Sequence, residues 1–259
     1  GVPLRSQTVL CRSNGALAKV ADELSDRDVP VLYLGPLFDR PEVRDLLALL
    51  SLVVDDAGTG LVRVAGFPEY RVPLADTLTV IAGARADGVR VVERLADAES
   101  LPGLSPEGRA GLLLLSLHLD GTGPGTTPWL ALSRYLFDAS DYVGTVLGGS
   151  AAADVLRRVA VRQLIDTMRA MPLSGSGTPI RRALDRVRHM ILLADERELR
   201  RLPPELEGLD GVRLMTIHAA KGLEFEAVHL PGLYKGAIPA ANRKPACPPP
   251  AGMLGPEDA

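Results

Sequence analysis

Apolar and polar positions recur along this chain on two different periods, and the change of period divides it. Near the start, Thr8 to Arg12 is a short apolar run that ends in Cys11-Arg12-Ser13-Asn14-Gly15, which predicts a strand emerging into a polar turn. Leu17, Val20, Ala21 and Leu24 then recur at helical spacing. Residues 26–30 break that pattern, and Val31 to Leu34 predicts a second strand. A further helix opens with Asp39 or Arg40 near its cap, Pro41 in its first turn and Glu42 at its positive end. Its apolar face is Val43, Leu46, Leu47, Leu50 and Val53.

From residue 57 to about residue 211 the strand signal fades into Ala-, Leu- and Arg-rich amphipathic stretches broken by Pro and Gly. The periodicity predicts helices over residues 74–87, 89–96, 106–119, 128–136, 151–171 and 179–193, with Thr127-Pro128 and Thr178-Pro179 marking two of the starts. Ser174-Gly175-Ser176-Gly177 reads as a flexible loop and residues 194–211 as a charged connector. Strand character then returns. Val212, Leu214 and Ile217 form one apolar run and Ala227, Val228 and Leu230 a second, which predicts two buried strands either side of a polar turn. The fold class is therefore α/β: a parallel-sheet domain formed from both chain ends and interrupted by an inserted all-α subdomain. The expected divisions are 1–56, 57–210 and 211–240, followed by a Pro- and Gly-rich tail over 241–259 that is expected to be loosely ordered.

Composition narrows the function classes. A chain of 259 residues holds two modest domains, and 46% apolar with 24% charged residues is ordinary for a globular protein. The formal charge of -3 gives no overall basic excess, so any nucleic-acid contact must be local. Aromatics at 4% argue against a sheet of stacking platforms. Cys11 and Cys247 are the only cysteines and imply neither a disulfide framework nor a metal site, so a reducing cytoplasm fits best. No apolar run is long enough to span a bilayer, and no membrane partner is expected.

The chemistry concentrates in the polar turn of the second half. Thr216, His218, Lys221 and Glu224 lie within nine positions, with Gly222 between the last two to let the backbone approach a ligand. A hydroxyl, an imidazole, an ammonium and a carboxylate gathered where a parallel strand ends suit a phosphate or nucleotide site. The whole stretch, Thr216-Ile217-His218-Ala219-Ala220-Lys221-Gly222-Leu223-Glu224-Phe225, resembles the fifth conserved motif of UvrD/Rep-type superfamily 1 DNA helicases. Val9-Leu10-Cys11-Arg12-Ser13-Asn14 and residues 35–55 resemble the start of the second RecA-like domain of the same enzymes. Between these stretches the likeness is one of architecture only, a helical subdomain inserted in the second motor domain.

The resemblance implies roles residue by residue. Arg12, Asn14, Thr216 and His218 are expected on single-stranded DNA, Gly222 near nucleotide phosphates, and Glu224 on the nucleotide ribose, while Lys221 is placed at the ATP site but suits either ligand. Guanidinium and carboxamide groups are good phosphate and base-edge donors, and a carboxylate accepts from both ribose hydroxyls. The implied cofactor is ATP with Mg2+, and the implied partners are single-stranded DNA, single/double-strand junctions and an N-terminal motor domain of the same protein. The implied activity is 3′ to 5′ ATP-dependent translocation or unwinding.

The sequence also departs from the family. It has no Walker A phosphate loop, no acidic Mg2+-binding motif after a strand and no arginine-bearing sixth motif, so this stretch alone is expected not to hydrolyse ATP. Lys235-Gly236-Ala237-Ile238-Pro239 and Gly66-Phe67-Pro68 differ from the family's usual forms and put duplex contacts in doubt. A helicase-nuclease motor subunit fits the same residues, and the rival reading is a non-catalytic helicase-like interaction module. Asp120 to Thr127 is glycine-rich but lacks the GKS/T ending and reads as an inter-helix loop. Arg157-Arg158, Arg181-Arg182 and Arg200-Arg201 read as solvated helix faces, with duplex contact as the alternative. His118, His189 and His229 have no evident companions and read as structural or solvent-facing.

Overall fold

In a computed structural model that describes residues 1–172, 174–193, 206 and 208–233, four parallel strands and ten α-helices make up more than half of the described residues. The strands are β1 (Gln7–Cys11), β2 (Val31–Leu32), β3 (Val212–Thr216) and β4 (Ala227–His229), in spatial order β2-β3-β1-β4. Thr8 pairs with Arg213 and Cys11 with Thr216, so the two ends of the chain build the centre of one sheet. Helix α1 (Asn14–Ser25) covers one face: Val9, Cys11, Val212 and Leu214 are buried with Leu17 and Ala21. Alternation along each strand puts exactly one apolar set on that face. The helix starts at Ser13, whose hydroxyl accepts from the Ala16 amide at 3.3 Å.

The other helices pack into a second, larger core. They are α2 (Pro41–Val54), α3 (Thr59–Val64), α4 (Leu74–Asp87), α5 (Val91–Ala96), α6 (Pro106–His118), α7 (Pro128–Ser133), α8 (Tyr142–Val146), α9 (Ala152–Ala170) and α10 (Pro179–Leu192). Val43, Leu46, Leu50 and Val53 of α2 share this core with residues as distant as Leu112, Leu132, Leu164 and Val187. Helix α2 is thus the hinge of the architecture: it follows β2 in sequence, yet its apolar face belongs to the helical layer. A separate small cluster of Leu34, Leu156 and Leu206 joins α9 to the end of β2.

Several expectations are corrected. β4 is not a buried strand; among the described residues it is the sheet edge, paired with β1 alone, and Val228 is 48% exposed. β3 ends at Thr216, leaving Ile217 exposed in the following turn, and β2 stops at Leu32 instead of running to Leu34. Arg40 occupies the cap of α2 without a side-chain cap bond. It pairs instead with Glu42 at 2.5 Å, so Glu42 is buried in an ion pair and not simply placed at the helix dipole. Thr178 caps α10 as expected, whereas the Thr127 hydroxyl makes no cap bond. The helix expected over 128–136 turns π-helical at Arg134–Ala139. Helices α3 and α8 were too short to show a period.

A set of polar residues in the helical layer is committed internally. Phe67, Tyr70, Tyr135 and Tyr142 stack in one cluster, with ring centroids 5.7 to 6.2 Å apart. The Tyr70 hydroxyl lies 3.1 Å from that of Tyr135 and 2.9 Å from His118 Nδ1, with Glu69 3.5 Å from the same nitrogen. His118 therefore has companions after all, as does His229, whose Nε2 lies 3.0 Å from Gln7 Oε1. Burial pushes the phenols of Tyr70 and Tyr142 far up and that of Tyr135 up to about 12. Arg158 donates to the carbonyls of Leu147 and Gly149, Arg181 to that of Val54, Arg182 to that of Gly175, and Arg157 pairs with Asp154. These arginines are structural donors and not an open basic face. Arg200-Arg201, residues 235–239 and the tail fall outside the described residues. No described helix is long and apolar enough to cross a membrane.

Candidate functional site

Parallel pairing of β1 with β3 fixes which residues meet. Both strands run the same way and Cys11 sits opposite Thr216, so the turns that follow them open side by side at the carboxyl edge of the sheet. That edge is where open parallel sheets place ligands. Arg12 and Asn14 come from one turn, Thr216 and His218 from the other, although some 205 positions separate the two stretches in sequence. The Ile217 amide donates to the Cys11 carbonyl at 3.0 Å, which carries the pairing one step past the strand. Arg12 and His218 are exposed and Asn14 and Thr216 half-buried.

The loop from Ile217 to Glu226 then does two things. Its first part is a series of tight turns: the Ala219 amide donates to the Thr216 hydroxyl oxygen at 3.2 Å, the Ala220 amide to the Thr216 carbonyl at 3.1 Å, and the Leu223 amide to the Ala220 carbonyl at 3.0 Å. Thr216 is thereby both the strand end and the anchor of the turn, and its O–H proton is still available to a ligand. The second part is a return. β4 begins opposite Gln7, at the amino end of β1, so the chain must cross back past β1 before Ala227. Lys221 and Gly222 lie in the turn and Glu224 on the return; the four polar groups are strung along a crossover and not clustered at one strand end.

This loop suits part of a nucleotide site. Gly222 has φ +85°, which a side chain would strain, and a Cβ there would meet nothing within 4 Å, so its backbone is open to an approaching ligand. Lys221 and Glu224 are both exposed, offering an ammonium for phosphate oxygens and a carboxylate for hydroxyls. Among the described residues no group of three or more His, Cys, Asp or Glu is placed to hold a metal. Cys11 is buried beneath the edge and burial pushes its thiol up, so it is part of the core and not a nucleophile. An open groove of about 660 Å³ between α1 and β4, lined by Gln7, Val9, Val20, Leu24, Val228 and His229 among others, contains none of the edge residues Arg12, Asn14, Thr216 or His218 and none of Lys221 to Glu224. Tyr33, which sequence reasoning passed over, reaches this edge from β2; the only sequence signal was an aromatic residue at a strand end.

Comparison with known proteins bears on most of the chain. Residues 149–247 match the UvrD-like helicase C-terminal domain. The chain is 24% identical over 256 residues to the ATP-dependent DNA helicase PcrA of Bacillus subtilis, covering 89% of this chain and 31% of that protein. It is 29% identical over 241 residues to the ATP-dependent DNA helicase Rep of Escherichia coli, covering 91% and 35%. Staphylococcus aureus PcrA is 22% identical over 251 residues, covering 92% and 32%. The chain thus spans about a third of the length of these relatives.

Proposed function

We propose, on the premise that this chain is homologous to the C-terminal part of UvrD-like ATP-dependent DNA helicases, that it is the second motor domain, with its inserted helical subdomain, of a 3′ to 5′ DNA helicase or translocase. The observation that carries this reading is the β1–β3 register, which brings Arg12 and Asn14 beside Thr216 and His218 at one sheet edge. In the proposed division, residues 1–56 and 211–240 form the RecA-like domain and 57–210 the inserted subdomain.

At the edge, the Arg12 guanidinium pairs with a backbone phosphate, and the Asn14 carboxamide, Thr216 hydroxyl and His218 imidazole donate to neighbouring phosphate or base-edge oxygens. Lys221, the open backbone at Gly222 and Glu224 provide one wall of the ATP site, with Glu224 accepting from the ribose. ATP with Mg2+, when bound, supplies the phosphoryl-transfer chemistry; the phosphate loop and metal ligands would come from an N-terminal motor domain of the same protein. Because His218 of the DNA edge and Lys221 to Glu224 of the ATP wall lie on one loop anchored at Thr216, a shift of Lys221 to Glu224 on nucleotide binding is passed to His218. That is a direct route for coupling nucleotide state to grip on DNA.

The test uses the full-length protein. Replacing Arg12 and His218 together by alanine is expected to raise the DNA concentration for half-maximal ATPase about a hundredfold or more, since each lost charge-assisted contact contributes roughly 1.5–3 kcal/mol. The slope of affinity against salt should fall by about one for the phosphate contact of Arg12. Glu224→Gln should raise KM for ATP and leave DNA half-saturation alone. Unchanged DNA stimulation in the double variant would remove the single-strand assignment, and the 259-residue chain by itself should show no ATP hydrolysis.

A further inference from the structure

Tyr33 ties together the two elements that flank β3. It directly follows β2 and packs into the core under α1 with Val9, Val212 and Leu214. Its hydroxyl points to the start of α1, where it donates to the Asn14 carbonyl at 3.4 Å. Because the strand order is β2-β3-β1, this contact bridges from the outer strand β2 to the turn after β1, passing the strand that carries Thr216. The ring itself has little freedom. Gly35, at φ +68°, lies so close that a Cβ there would come within 3.3 Å of the Tyr33 ring, so the turn after β2 closes against the ring's side. The start of α1 also has the Ser13 cap, a bond within its own turn. Tyr33 is the described side chain that links Asn14 to another strand.

We propose that Tyr33 is a positioning residue for single-stranded DNA: it holds the first residue of α1, and with it the Asn14 carboxamide, at a fixed place relative to Thr216 and His218. This rests on the DNA reading of that edge. Tyr33 does not itself contact the strand, because its hydroxyl is turned to the Asn14 carbonyl and its ring to the core and Gly35. Its action is through Asn14, so its effect must vanish when the carboxamide is gone.

The experiment measures binding of the full-length protein to an oligothymidylate of about 20 nucleotides by anisotropy at fixed salt, with DNA-stimulated ATPase alongside. Tyr33→Phe, which keeps the ring and removes the hydroxyl, is expected to raise Kd about threefold, the lower range for one hydrogen bond. The ATPase kcat at saturating DNA should stay unchanged, and Tm should fall by no more than the loss of one hydrogen bond allows; a loosened fold would lower both kcat and Tm further. In an Asn14→Ala background the Tyr33→Phe change should have no further effect. Wild-type affinity for Tyr33→Phe, or an equal loss in the Asn14→Ala background, overturns the proposal. Arg12→Ala measured in parallel separates the two levels. If Arg12→Ala weakens binding and Tyr33→Phe does not, only the role of Tyr33 falls; if Arg12→Ala binds like wild type, the DNA reading of the edge falls first.

Discussion

The carboxyl edge of the sheet and the helical layer use polar residues in opposite ways. At the edge, Arg12, His218, Lys221 and Glu224 point into solvent above a small core. In the helical layer, Tyr70, Tyr135, Tyr142, Asp45 and Asp76 turn inward and satisfy one another or the backbone; Tyr142 donates to Asp45 at 3.3 Å, and Ser105 donates to the buried Asp76 at 2.5 Å. Buried polar groups are costly unless paired, so the inward set contributes to holding the fold and has no spare valence for a ligand. The outward set costs little to expose and stands where a partner can reach it. Polar type alone does not separate the two, since histidine and arginine occur in both.

The comparison can be broken from the helical side first. Leu112→Ala, at a fully buried site, should cost about 2–5 kcal/mol and show as a lower Tm, while DNA half-saturation stays at the wild-type value below the unfolding transition. A matching loss of DNA affinity in the folded protein would mean that the two regions are not independent. Tyr70→Phe comes next. It strips His118 and Tyr135 of a shared partner, and denaturant unfolding should show a loss of about 1–3 kcal/mol without any change in ATPase.

The smallest effect is an alkaline one. Tyr70, Tyr135 and Tyr142 all have folded pKa values above the ordinary 10.0, because burial penalises the phenolate. Their stabilising share is therefore complete below pH 10.0 and is lost as pH rises from there through the folded values, about 12 for Tyr135. Circular dichroism and tyrosinate absorbance followed together should change in step in that window. Titration of all the tyrosines near pH 10 with the fold intact would contradict the buried network. Tyr135→Phe should flatten the loss.

Most helices were legible because their periods are long and their starts are punctuated: Ser105-Pro106, Thr127-Pro128 and Thr178-Pro179 sit at three observed N-termini. Helices α3 and α8, at six and five residues, are shorter than two turns and leave no period to read. β4 was misread as buried because apolarity along a strand does not reveal whether one neighbour or two will cover it. The internal partners of Arg158 and Arg181 were invisible for a different reason: each caps a carbonyl, and a carbonyl leaves no mark in the residue alphabet. His118 is structural, as expected, but its companions leave no local signal, since they lie 48 and 49 positions away.

What the sequence determined by itself is therefore the inventory: strands at both ends, helices between, and two polar stretches of the kind found in UvrD-like helicases. Those follow from local periodicity, capping chemistry and motif spacing, all of which act within a few turns of chain. Only the tertiary structure decided that Cys11 lies opposite Thr216, that Tyr33 reaches Asn14, and that most arginines of the helical layer are held by the backbone. Those outcomes depend on strand order and on which carbonyls need a donor, and both are settled when distant segments pack, not by the residues next door.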